Sequence, residues 1–120
     1  MTSPIRIQLS RKKGWKMPEN TVKVDRSTRW GNPFRVGEPV DMLCARRWGW
    51  VLGQPTFVAQ DALSSVRRFS AALVSDEATH DLVKEHLRGK NLACWCRPDQ
   101  PCHADVLLEF ANAPTDEAAR

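Results

Sequence analysis

The sequence predicts a single small compact α/β domain in which a short sheet is flanked by helices. Three observations carry that prediction. Apolar runs of strand length (PIRIQLS, TVKV, NLACWC) alternate with longer stretches whose apolar residues recur at helical spacing. The chain has 120 residues, one domain's worth, and is 42% hydrophobic and 27% charged, the balance of a globular domain rather than a collagen-like, low-complexity or disordered chain. No apolar stretch has the length of a membrane span, and the first residues lack the apolar block of a secretory signal, so the expected address is cytoplasmic, with no membrane partner.

In chain order, residues 4–10 place Ile5, Ile7 and Leu9 on one face of a strand. Residues 11–20 (RKKGWKMPEN) combine Gly, Pro and Asn with four cations around Trp15 and form an exposed loop. A short second strand covers Thr21–Val24, and residues 25–39 hold two Gly and two Pro, too many for regular structure. Residues 40–58 fit a short helix broken at Gly49, with Cys44 as a buried apolar residue. A helix over 61–75 has Asp61 as N-cap and Leu63, Val66, Phe69 and Leu73 inward. The next, over about 77–88, turns Leu82, Val83, His86 and Leu87 inward, leaves His80 exposed at its start and stops at Gly89. NLACWC (91–96) is a buried strand, and 103–112 a further helix with Val106, Leu107 and Phe110 inward. The domain is thus expected over 1–112, with 113–120 as a flexible C-terminal tail.

The chemistry concentrates in two segments. In LACWCRPDQPCHADVL a strand gives way to a polar turn and a helix start, with three of the four cysteines within nine residues. Strand spacing puts Cys94 and Cys96 on one face, and Cys102 and His103 fall at a helix N-terminus, whose positive end lowers the pKa of a thiol. Three readings follow. Cys102 and His103 form a reactive pair, one as nucleophile and the other as general acid–base. Alternatively Cys94, Cys96, Cys102 and His103 hold a metal, zinc or an iron–sulfur centre by donor type, although C-x-C-x5-C-H is not a standard zinc spacing. In the third, the cysteines pack as small hydrophobes.

The second segment, DRSTRWGNPFRVG (25–37), offers Arg26, Ser27, Arg29 and Asn32 as ligands for a phosphate, with Trp30 to stack on a base or shape the wall. Trp30 and Phe34 equally suit a core, with Asn32–Pro33 making a turn. The charge distribution agrees with an anionic partner: residues 1–60 carry 11 Lys/Arg against 4 Asp/Glu, within a net charge of +4. No P-loop or dinucleotide fingerprint is present.

These two segments, WGNPF within DRSTRWGNPFRVG and CWC…CH within GKNLACWCRPDQPCHADVL, resemble the family known as domain of unknown function 4326, found in bacteria and their phages. The resemblance spans residues 4–112 and implies no established activity. The terminal strand–Cys–loop–Cys-His–helix arrangement is also similar, over a shorter stretch, to the domain of unknown function 488 family, which implies that Cys94, Cys102 and His103 border one pocket.

The expected function is a pocket between the Arg26–Arg35 loop and the Cys94–His103 segment that binds a nucleotide or nucleic-acid phosphate. The residues suit an enzyme using the Cys-His pair. They also suit a non-catalytic nucleic-acid-binding module stiffened by a Cys/His metal site, or an interaction protein with a Cys-containing core.

Overall fold

The computed structural model describes residues 3–50 and 57–113. Its centre is a three-stranded, wholly parallel sheet of β1 (Arg6–Gln8), β2 (Thr21–Lys23) and β3 (Asn91–Cys94), in the order β1-β3-β2. The last strand in sequence lies between the first two. Ile7 stands opposite Ala93 on one side, and Val22 stands opposite Leu92 on the other. Leu9 and Val24 extend both ladders, donating to the carbonyls of Cys94 and Ala93 at 2.8 Å. A strand paired on both sides and covered on both faces must be apolar throughout, and Leu92, Ala93 and Cys94 are buried. Ile5 and Ile7 follow another rule. β1 is an edge strand, and Ile5 at its start stays exposed instead of joining the inward face expected for it.

Among the described residues four helices flank the sheet: α1 (Met42–Trp48), α2 (Ala62–Val74), α3 (Glu77–Leu87) and α4 (His103–Asn112). The helix expected within 40–58 is α1; Gly49 ends it in a left-handed conformation that a side chain would strain, while residues 51–56 of that segment lie outside the described residues. Asp61 caps α2 in a full capping box with Ser64. The inward face of α2 is Ser65, Phe69, Ala72 and Leu73. Leu63 points to solvent, one rotation away from the expected stripe, because Ser65 is held inward by hydrogen bonds to Asn32 and the Phe34 carbonyl. In α3, Val83 and Leu87 are buried but His86 is exposed, its ring lying 5.8 Å from Trp30. His80 is half-buried rather than exposed: its Nε2 donates to the Leu73 carbonyl at 2.9 Å and its ring packs on Phe110. α4 has the predicted boundaries, and the expected tail lies, from residue 114, outside the described residues.

An aromatic cluster fills the space between α1 and α2. Trp48 and Trp50 stack at 4.8 Å, and both meet Phe69 at 5.7 Å. Among the described residues no helix is long and apolar enough to cross a membrane.

Candidate functional site

Because all three strands are parallel, their carboxyl ends share one edge, and the loops 24–41 and 95–102 open from it. This is where open α/β sheets bind ligands. A cavity of about 260 Å³ lies there, lined on one side by Asp25, Arg26, Ser27 and Asn32. Cys94, Trp95, Cys96, Cys102 and His103 line the other side, and Ala62, Ser65 and Val66 from the first turns of α2 join them. The N-termini of α2 and α4 therefore both face it; that of α2 is already met by the Asp61 carboxylate, whereas that of α4 has no side-chain cap and brings the positive end of its dipole to the opening.

The first wall is fixed by a close backbone approach. A Cβ on Gly31 would stand 2.6 Å from the Arg26 Cα, so only glycine lets the loop fold back on itself. Gly31 is held there by its carbonyl, which accepts from Trp48 Nε1 at 2.7 Å. Arg26 donates from Nε to the Asn32 carbonyl at 2.9 Å, and its two terminal amino groups have no partner among the described residues. Asn32 is buried and committed: its amide donates to Ser65 Oγ at 2.9 Å and its oxygen accepts from the Phe34 N–H at 2.8 Å. These bonds brace the wall and leave one of the two Asn32 amide hydrogens without a partner among the described residues.

Two expected ligand residues lie elsewhere. Trp30 is buried in the core, edge-on to Trp48 at 5.6 Å, and does not line the cavity. Arg29 stacks over Trp30 from the solvent side at 5.0 Å, drawn there by the indole face. Two residues that the sequence did not single out take their place. Asp25 accepts from Ser27 and from Trp95 Nε1 at 2.8 Å. Burial raises the pKa of its carboxyl, but those bonds and nearby Lys23 outweigh it and hold the group below the usual carboxylate range. Trp95, pinned by that bond, forms part of the rim.

On the second wall the sulfurs of Cys94, Cys96 and Cys102 all lie within 4.8 Å of one another, a group able to hold a metal ion. All three thiols are free, and the Cys94 and Cys102 sulfurs are 2.9 Å apart. His103 is buried, and its Nε2 donates to the Val24 carbonyl at 2.7 Å. That bond fixes the tautomer, so the Nδ1 lone pair faces Cys102 Sγ at 3.7 Å. Burial lowers the pKa of the imidazole, keeping it neutral. The thiol of the cluster most favoured as thiolate is not the expected one. Hydrogen bonds with Cys94 and Cys96, together with burial, raise the Cys102 thiol and outweigh the helix end. Cys96 is lowered by the hydrogen bonds its sulfur accepts from Cys102 and Cys94. It is also the least buried of the three. Cys44 lies apart and is raised to about 11 by burial, as suits a packed core thiol.

These features define the class: an open parallel α/β domain with a thiol-lined cavity at the carboxyl edge of its sheet. The chain belongs to the family described as Domain of unknown function (DUF4326), which matches residues 7–113 and so takes in both walls. It is similar to the "Uncharacterized 12.4 kDa protein in nrdA-td intergenic region" of Enterobacteria phage T4, at 29% identity over 94 residues, 78% of this chain and 85% of that protein. No solved structure matches the chain.

Proposed function

We propose that the cavity binds a small phosphate-bearing ligand no larger than a nucleotide and that the thiol–histidine wall acts on it. The observation that supports this most is the opposition of two walls across one opening. Arg26 presents guanidinium donors without a partner among the described residues, beside the uncapped N-terminus of α4, and the Cys96–Cys102–His103 group faces them. Guanidinium and helix end together suit a phosphate. A cavity of about 260 Å³ excludes a dinucleotide cofactor lying wholly inside it. Cys96 is the nucleophile in this reading, the one thiol of the cluster favoured as thiolate. His103, neutral with a free Nδ1, takes or returns a proton through Cys102.

A second reading rests on the sulfur spacing. Three thiolates within 4.8 Å suit zinc, with a fourth position opening on the cavity, or a cysteine-held iron–sulfur centre. His103 lies outside that group, so the fourth donor would come from elsewhere. In that case the site is the metal-stiffened part of a nucleic-acid-binding module.

Calorimetric titration with thymidine 5′-monophosphate tests the first reading. Arg26→Ala should weaken binding by roughly tenfold or more, the worth of a charge-assisted hydrogen bond, and Arg26→Lys by less. Equal affinity in Arg26→Ala, or no binding at millimolar nucleotide, overturns it.

A further inference from the structure

We infer that the cavity takes the terminal nucleotide of a single-stranded nucleic acid, and that the strand leaves over a platform made by Trp95, Arg11 and the cationic turn after β1. This rests on the phosphate-pocket reading and names its substrate class.

Three observations converge. The first is the form of the rim. Trp95 follows the fully paired strand β3 and is 40% exposed, so part of its indole is open at the rim. Its indole is not loose. Nε1 donates to Asp25 across the opening at 2.8 Å, and the Arg11 guanidinium lies over the ring at 4.5 Å. An aromatic held in one orientation beside a cation is a base-stacking surface that needs little ordering on binding.

The second observation is the charge next to it. β1 ends at the same edge as the cavity, and the chain turns there, with the Trp15 N–H donating to the Lys12 carbonyl at 3.0 Å and Gly14 in the left-handed region. Arg11, Lys12, Lys13 and Lys16 are all exposed, and none forms an ion pair with a described residue. Cations left unneutralised along a turn follow a phosphate backbone.

The third is size. The cavity accommodates about one nucleotide, whereas the cationic turn lies outside it and has no role in holding a free mononucleotide. A ligand that uses both must continue beyond the opening. A single strand does so; a duplex end holds its terminal nucleotide paired and stacked, so entry to the cavity would first cost unpairing and unstacking.

Fluorescence anisotropy with a fluorescein-labelled eight-residue oligothymidylate, with thymidine 5′-monophosphate titrated in parallel, provides the test. The oligonucleotide should bind at least tenfold tighter than the mononucleotide. Raising salt from 50 to 200 mM should weaken it roughly twentyfold, as expected for three single-strand phosphate contacts. Trp95→Ala should cost about tenfold or more on the oligonucleotide, and Trp95→Phe, which keeps a stacking face, about threefold or less. The triple variant Lys12→Ala, Lys13→Ala, Lys16→Ala should lose most of the salt dependence while binding the mononucleotide as before. The inference is overturned if the oligonucleotide binds no tighter than the mononucleotide, or if neither Trp95→Ala nor the lysine triple changes its affinity. Mononucleotide binding that depends on Arg26 would in that case leave the pocket reading standing. Oligonucleotide binding through Trp95 and the lysines, without mononucleotide binding, would remove the pocket instead.

Discussion

At the scale of single residues, the site turns on which of three clustered thiols is most favoured as thiolate. Cys102 has the helix N-terminus, but Cys96 has two thiol donors and access to the cavity. Iodoacetamide should therefore modify Cys96 first, ahead of Cys44, Cys94 and Cys102, as read by peptide mass. A lowered pKa keeps the thiolate as pH falls, so the rate at pH 6 should stay within about threefold of that at pH 8, where an ordinary thiol slows roughly a hundredfold. Labelling that falls tenfold per pH unit, or that strikes Cys102 first, would count against this assignment. One zinc per chain with all three thiols protected would instead establish the metal reading. The sequence made the grouping of Cys94, Cys96, Cys102 and His103 legible, because a strand end and a helix start flank a short turn. It did not make the choice of Cys96 legible, since that depends on which sulfur receives hydrogen bonds from the other two. Trp30 is a related case: the motif WGNPF is compatible with a wall or a core, and Trp48 decides for the core.

At the scale of elements, the segment from Arg97 to Pro101 carries no strand or helix, yet it sets the distance between Cys96 and Cys102. What holds it is Arg6 on β1. Its guanidinium donates to the carbonyls of Arg97, Pro98 and Gln100 and pairs with Asp105 of α4 at 2.9 Å, while its side chain is only 12% exposed. Four bonds from one planar fork suit arginine alone. Arg6→Ala should destabilise the domain by about 1–3 kcal/mol and speed amide exchange across 96–102 more than in α2 or α3. Arg6→Lys should recover less than half of the loss; full recovery, or uniform exchange, would show that the loop holds itself. In the sequence Arg6 reads only as an interruption of an apolar strand. Helix existence and ends were legible from caps and periodicity, as α2 with Asp61 and α4 show. The inward face of α2 was not, because Ser65 turns inward to bond a loop more than 30 positions away, and local periodicity carries no trace of that bond.

At the scale of the whole molecule, one strand is both the axis of the core and the floor of the site. β3 is paired on both sides, buries Leu92 completely, and two residues later delivers Cys94 to the cavity. The alternating pattern of short strands and helices was enough to predict a compact α/β domain, yet the central place of the last strand follows only from pairing across more than 80 residues of chain. This arrangement separates stability from recognition. Leu92 has no contact with the opening, so Leu92→Ala should cost about 2–5 kcal/mol through the lost side chain and the space it leaves. A domain of ordinary stability, about 5–15 kcal/mol, stays largely folded after such a loss. Mononucleotide affinity at 15 °C should then match the parent within about twofold, while the thermal midpoint falls well below it. If affinity falls in step with stability in a variant that circular dichroism shows to be folded, the walls are not held independently by Gly31, Asn32 and Arg6. The cavity would then depend on the strand beneath it rather than on the loops that line it.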